Sequence, residues 1–335
     1  MSNSQMLPEW APCRAVLLAW PYPGGDWDAN YADVIACYWS MLDSISQSAE
    51  VWVLLHPSLS MQAFSTEMAL KNYLHPVRVK NDVLYDDTWV RDYGPISCSQ
   101  GYVAFTFNGW GGKYAADADD AVAAQLEDWL LQRPHGIKFV CEGGGLEIDG
   151  DGVLLANEEC VIDSARNASS SKDRVQEKLR DSIGVREFAW LKGVVLTGDD
   201  TDGHVDTIAR LGPKNVIVYS GRNSRHHDAV TLNSLHDQVH DLAARWGWKT
   251  FELPTPILTS RVDGRVLPAT YANFLICNDA VFLPVYGLPE DDLAASVIAS
   301  ALPDHDVRRV NCSALVEQHG SLHCATMQIA HLLGG

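Results

Sequence analysis

The chain reads as an α/β protein. Apolar runs of strand length recur along it, and segments with a helical apolar period fall between them. No Pro-, Ser- or Gly-rich linker interrupts the alternation, so residues 1–335 are expected to form one domain, although length alone would allow two. Strands are expected at 15–20, 51–56, 103–107, 137–141, 153–156, 194–197, 216–219, 271–277 and 280–286. Val34, Ile35, Tyr38, Trp39 and Leu42 mark the buried face of one helix, and Val122, Leu126, Trp129 and Leu130 that of a second. Leu232, Leu235, Val239, Leu242 and Trp246 mark a third. A fourth is expected after Pro289, with Leu293, Val297 and Ala301 facing inward. The spacing of helices suits several small modules about a centre, although no residue-level repeat is visible.

With 335 residues, 47% of them hydrophobic, the chain can bury a large core. Forty-three acidic against 25 basic residues give a net charge of −18, which argues against nucleic acid or an anionic membrane as partner. An acidic surface keeps a protein soluble, and an acidic cleft also concentrates cationic small molecules. The first residues carry neither a basic start nor a long apolar run, and no stretch approaches the ~18 apolar residues of a membrane helix. The eight cysteines are scattered with no Cys-x-x-Cys pair, which excludes a disulfide framework and a zinc knuckle. A cytoplasmic enzyme without metal or organic cofactor is the expectation; a homo-oligomer is left open.

Three clusters carry chemistry. Cys324 follows His323 in Gly320-Ser321-Leu322-His323-Cys324, a segment that reads as a turn leading into a terminal helix. Most free thiols are small buried hydrophobes, and that reading suits the other seven cysteines. A cysteine in such a turn can instead gain thiolate character from a helix N-terminus or a nearby cation.

The stretch 199–206, Asp-Asp-Thr-Asp-Gly-His-Val-Asp, packs four carboxylates around one histidine. If a strand starts at His204, then His204 and Asp206 share a face and can address one ligand. Asp199, Asp200 and Asp202 lie close enough in a glycine-containing turn to raise one another's proton affinity. A calcium-like cage lacks the regular ligand spacing, and a solvated acidic turn leaves the His-x-Asp pair unexplained. In the third cluster, Asp87-Thr88-Trp89-Val90-Arg91-Asp92-Tyr93, Trp89 and Tyr93 offer aromatic walls and Asp92 a carboxylate between them. Simple pairing of Arg91 with a neighbouring acid is the plainer account of that cluster.

Glu142-Gly143-Gly144-Gly145 lacks a phosphate-loop pattern. Its glycines allow close backbone approach to a ligand, with Glu142 at the edge, or form a plain tight turn. The stretch 107–112 is assigned nothing beyond shaping a loop. A thiol, an imidazole and converging carboxylates together suit attack on a planar cationic carbon, the centre of a guanidinium.

Taken together these motifs resemble the agmatine deiminase family of guanidino-group-modifying enzymes. The matching segments are Leu7-Pro8-Glu9-Trp10, Trp89-Val90-Arg91-Asp92-Tyr93-Gly94-Pro95, Glu142-Gly143-Gly144, 199–206, Tyr271-Ala272-Asn273-Phe274 and His323-Cys324. They span nearly the whole chain in the family's order. One departure stands out: the family's Gly-Gly-Gly-Asn-Ile-His-Cys is replaced here by His319-Gly320-Ser321-Leu322-His323-Cys324.

The resemblance implies a pentein, a five-bladed α/β propeller of ββαβ modules about a pseudo-fivefold axis. It implies Cys324 as nucleophile and His204 as general acid and base. Asp92 and Asp206 would clamp the guanidinium, with Glu142 supporting the site. Trp89 would line it, and Asp200 would contact a distal amine. The expected reaction is agmatine plus water giving N-carbamoylputrescine and ammonia, on a route to putrescine and polyamines. Peptidyl-arginine is the rival substrate, a non-catalytic cation-binding pentein the rival class, and amidino transfer to an amine a third reading.

Overall fold

In the computed structural model, which describes residues 4–168 and 171–331, one strand pattern recurs in five sheets. A first strand pairs antiparallel with a second, and a third then joins the second in parallel. The trios are Met327–Ala330, Cys13–Ala19 and Glu50–Leu54; Ile96–Cys98, Gly101–Thr106 and His135–Val140; Glu147–Ile148, Val153–Asn157 and Glu187–Leu191; Ala209–Gly212, Val216–Ser220 and Lys249–Leu253; and Leu275–Cys277, Ala280–Val285 and Asp306–Asn311. Val77–Lys80 extends the first sheet, and Leu258–Thr259 with Val266–Leu267 forms a separate two-stranded ribbon.

A parallel pair needs a crossover longer than a hairpin, and helical segments supply it. Tyr31–Ile45, Lys172–Ile183, Ala229–Trp246 and Glu290–Ala301 each link a second strand to its parallel third. In the second sheet short turns do so, ending with Ala123–Leu126 and Glu127–Leu130 in place of the single helix expected over Val122–Leu130. Central strands such as Val216–Ser220 are buried along their whole length, so they read as unbroken apolar runs. The α/β expectation therefore holds. Among the described residues no helix is long and apolar enough to cross a membrane.

Several expected elements differ. Residues 194–197 are loop: Asp228 Oδ2 accepts from Thr197 N at 2.8 Å, Val194 O accepts from Asn157, and the strand lies earlier, at Glu187–Leu191. Of 271–277 only Leu275–Cys277 pairs, because Thr270 Oγ1 takes the Ala272 amide at 3.0 Å. The helix Glu290–Ala301 buries Ala294, Ala295, Ile298 and Ala301, whereas Leu293 is 56% exposed. Asp291 sets that rotation. Its carboxylate accepts from Tyr271 Oη at 2.7 Å and from the Tyr286, Gly287 and Leu288 amides at 2.9–3.1 Å. The segment after Cys324 is the strand Met327–Ala330, not a helix, and pairs antiparallel with Cys13–Ala19.

Candidate active site

Three tight turns deliver the polar side chains to one place. Asp92 sits in the short helical turn Val90–Tyr93, whose Arg91 amide donates to Cys324 O at 3.2 Å. Asp92 is held at both oxygens: Gly144 N donates to Oδ1 and Trp110 Nε1 to Oδ2, each at 2.9 Å. The loop 107–112, expected only to shape the chain, thus supplies a direct partner of Asp92. Its backbone is wound left-handed at Gly109, Trp110, Gly111 and Gly112, at φ +68°, +53°, +84° and +81°.

The glycines after Glu142 answer a steric demand. A Cβ on Gly143 would lie 2.2 Å from Arg91 O, and one on Gly144 would lie 2.6 Å from His204 Nδ1 and 2.7 Å from Asp92 Oδ1. The close approach is therefore to protein groups. Glu142 itself stands behind His204 and faces the buried Arg166, whose Nε lies 2.9 Å from both carboxylate oxygens.

His204 and Asp206 come from a 3₁₀ turn, Val205–Thr207, and not from a strand, which begins only at Ala209. Asp199 organises the turn by accepting from Thr201 Oγ1 and Gly203 N, both at 2.6 Å. Burial raises its proton affinity. Mutual repulsion does not govern Asp202 as expected: burial pushes it up, but hydrogen bonds from Lys113 and Arg166 outweigh that and hold the carboxylate low. His204 Nδ1 is 3.6 Å from Asp92 Oδ1, and Nε2 is 3.8 Å from Glu142 Oε2. Burial opposes charge on the ring, yet Asp92, the Cys160 thiol and Glu142 together raise its pKa well above the ordinary value. We read it as imidazolium in the unliganded protein.

Cys324 lies in a turn whose geometry is set by Asn273. The side-chain Oδ1 accepts from Cys324 N and Nδ2 donates to Sγ, both at 3.2 Å. Sγ is 3.7 Å from Asp206 Oδ2. The segment after it is a strand, so the helix N-terminus expected there does not follow the sulfur. Burial, with Asp206 and Asp92 adding to it, drives the thiol pKa well above the usual range. Burial likewise pushes Asp92 up to about 6, Asp206 adding while His204 and the Trp110 indole restrain it. For Asp206 burial is outweighed by His323 and His204, and the carboxyl is held low.

Cys324 and Asp92 open on a cavity of about 110 Å³. Trp89 forms one wall, 5.5 Å edge-on from Trp27, and Asp200 sits at the mouth accepting from Tyr114 Oη at 3.1 Å. Among the described residues five aspartates line the cavity and no lysine or arginine does. Trp89, Asp92, Asp200 and Cys324 line it, and His204, Asp206 and Glu142 gather beside Asp92 and Cys324. Tyr93, expected as a second aromatic wall, does not: it packs on Phe107 and its hydroxyl donates to Asp87 O. Trp110, Asn273 and Arg166 had no assigned part: Asn273 lay inside a matching segment, whereas nothing local marked Trp110 or Arg166.

Metal-type donors also cluster. Among the described residues the donors of Glu142, Cys160 and His204 lie within 4.8 Å of one another, as do those of Glu9, Glu147 and His323 and those of His226, His227 and Asp228. Arg166 occupies the Glu142 carboxylate, Arg210 is ion-paired with Glu9 and Glu147, and Asp228 is bonded to Thr197.

Comparison with known proteins gives a consistent picture. The chain is 28% identical over 351 residues to a "Putative agmatine deiminase" of Shewanella sp. (strain MR-4), covering 96% of this chain and 92% of that one. It superposes with a TM-score of 0.89 on the C. jejuni agmatine deiminase, a substrate-bound Cys-to-Ser variant, at 28% identity over 98% of this chain and 97% of that one. A crystal structure of a "putative peptidyl-arginine deiminase" matches with a TM-score of 0.92 and 32% identity, over 99% and 100% of the chains. The model of the Porphyromonas-type peptidyl-arginine deiminases matches residues 5–330, and the chain belongs to that family of guanidino-group deiminases.

Proposed function

We propose that this chain hydrolyses the guanidino group of agmatine to N-carbamoylputrescine and ammonia through a covalent intermediate on Cys324. The observation that carries this reading is the cavity: it ends on a thiol and a buried carboxylate, and among the described residues aspartates line it without any lysine or arginine. Agmatine is cationic at both ends, whereas free arginine would bring a carboxylate into that acidic cleft.

In this reading Asp92 and Asp206 hold the planar guanidinium by charge-assisted hydrogen bonds. Burial and two carboxylates keep Cys324 protonated; the bound cation offsets the carboxylates, so the thiol releases its proton to water as substrate arrives and the thiolate forms. Sulfur attacks the central carbon, and the tetrahedral adduct collapses as His204 gives its proton to departing ammonia. The thiouronium-type intermediate is then attacked by water, with neutral His204 as base, and Cys324 leaves. Glu142 supports His204, Trp89 packs beside the substrate, and Asp200 receives the distal ammonium. No metal or organic cofactor takes part. The five repeated sheets support a five-bladed propeller formed as a single domain over 1–335, and we assign the enzyme to the cytoplasm and to putrescine formation.

Peptidyl-arginine is the second reading, favoured by the family name and by the absence of a carboxylate on the substrate. Against it, Lys113 bonds Asp200 O and Asp202 while Tyr114 bonds Asp200, so the carboxylate proposed to receive a distal ammonium is already held in place at the cavity. A ureido-product assay across agmatine, arginine, arginine methyl ester and an arginine peptide decides the matter. Agmatine is expected fastest, and Cys324→Ala is expected to bind it without turnover. Faster conversion of arginine, or turnover by the alanine variant, overturns the proposal; ureido product lost to added amine would indicate amidino transfer.

A further inference from the structure

Behind the cavity, His323 lies between two carboxylates. Its Nδ1 is 2.7 Å from Asp206 Oδ2 and its Nε2 is 2.5 Å from Glu9 Oε2, and all three residues are buried. Glu9 reaches this point from the N-terminal segment and is itself pinned. Oε1 accepts from Ile276 N at 2.7 Å, and Oε2 also accepts from Arg210 Nη2 at 2.5 Å. Arg210 continues to Glu147 and to the Phe274 carbonyl. The sequence marked Glu9 and His323 only as parts of matching segments.

A neutral imidazole has one N–H. With a carboxylate oxygen at each ring nitrogen, one of the two contacts would then set lone pair against lone pair. Two N–H groups satisfy both, so the arrangement calls for imidazolium. That ring fixes Asp206 Oδ2, the oxygen 3.7 Å from Cys324 Sγ, while Asp206 Oδ1 stays buried without a partner. Asp206 therefore presents one oxygen held against the thiol and one free for a cation.

We propose that Glu9 and His323 are positioning residues: Glu9 keeps His323 doubly protonated, and His323 in turn keeps Asp206 ionised and aimed into the guanidine site. The proposal rests on the deimination reading above and extends the machinery to the N-terminal segment. Around the relay, Asp206 is faced by His323, His204, Arg210, Arg91, Asp92 and Cys324, and His323 by Asp206, Glu9, Glu147 and Arg91. Removing the Glu9 charge removes one of the two carboxylates whose contacts call for an N–H at each ring nitrogen of His323. Its Nδ1 then serves Asp206 less well, and the Asp206 carboxyl takes up a proton at higher pH than before.

The test compares wild type with Glu9→Gln and His323→Gln, reading Tm, kcat, KM for agmatine and the pH profile of kcat/KM. In folded variants KM for agmatine is expected to rise about tenfold, the scale of one charge-assisted hydrogen bond, and the acid limb of kcat/KM, which Asp92 sets in wild type, is expected to steepen as protonation of Asp206 joins it. A wild-type KM and profile overturns the proposal, as does a fall in kcat alone with an unchanged limb, which would mark a merely structural role. Wild type supplies a measurement that needs no variant. His323 is the only histidine followed by cysteine, so ¹³C,¹⁵N-His/¹⁵N-Cys labelling identifies it and its ring ¹⁵N shifts report its protonation. A singly protonated ring at neutral pH overturns the proposal. Wild type that forms no ureido product from any guanidine would instead overturn the deimination reading, while the ring shifts still judge the clamp.

Discussion

Trp110 Nε1 donates a 2.9 Å hydrogen bond to Asp92 Oδ2 from a backbone held at φ +53°. Left-handed backbone is costly for a bulky residue, and here it turns the indole N–H toward a buried carboxylate. Trp110→Phe keeps an aromatic ring and removes the donor. A hydrogen bond to a charged group contributes about 1.5–3 kcal/mol, so KM for agmatine is expected to rise roughly tenfold or more. Steady-state kinetics beside a thermal melt separates this from unfolding.

Gly144 has no room for a side chain: a Cβ would lie 2.6 Å from His204 Nδ1, 2.7 Å from Asp92 Oδ1 and 3.2 Å from Asp206 Oδ2. Gly144→Ala should force those groups apart. Misplacement of about 1 Å costs on the order of 10²-fold, and kcat/KM is expected to fall by at least that. A variant within threefold of wild type would show that the three groups need not converge.

Asp92 governs the acid side. Its carboxyl is pushed up to about 6 by burial, and the guanidinium needs it ionised. Because kcat/KM reports the free enzyme, it should fall as pH drops through about 6. An acid limb near the ordinary aspartate value would contradict this.

Cys324 should behave as a resting thiol. Burial with Asp206 and Asp92 holds its pKa well above the usual range, so the iodoacetamide alkylation rate of the free enzyme should still be climbing on the alkaline side. A plateau reached near neutrality would mean that thiolate exists before substrate binds.

Asp119, buried beneath the cavity loop, accepts from the Asp86 and Asp87 amides at 2.8 and 3.2 Å and has a free Oδ2. Burial pushes its carboxyl from 3.8 up to about 7. The folded state therefore binds the proton more tightly than the unfolded chain. The stability this contributes is present below the unfolded value and is lost as pH rises toward 7. Between about pH 4 and pH 8 wild type should lose up to roughly 4 kcal/mol that Asp119→Asn does not lose. Urea denaturation at the two pH values measures the difference.

Cys324, His204, Asp206 and Asp92 could be picked out from the chain because each sits in a short run with other chemical groups, whereas Glu142, beside three glycines, took its expected part from the family resemblance. The α/β class was equally readable, since apolar runs and helical stripes are local patterns. Errors clustered where pattern is ambiguous. The apolar residues 205–209 and the segment after Cys324 fit more than one geometry, and each was resolved by side-chain hydrogen bonds or distant strand pairing. Leu293 and Ala294 give helical stripes of equal quality, and the Asp291 tether chose between them.

The order of reactive groups along the chain, the sign of its charge and the strand–helix alternation are one-dimensional properties, legible before any folding. The pairing of Glu9 with His323, of Trp110 with Asp92 and of Asn273 with Cys324 is not. Those partners lie 314, 18 and 51 positions apart, and contact requires that separate sheets be packed together first. Burial at that meeting point then sets which groups carry protons, because the cost of a charge depends on the water and neighbours it has lost and on nothing local to the residue itself.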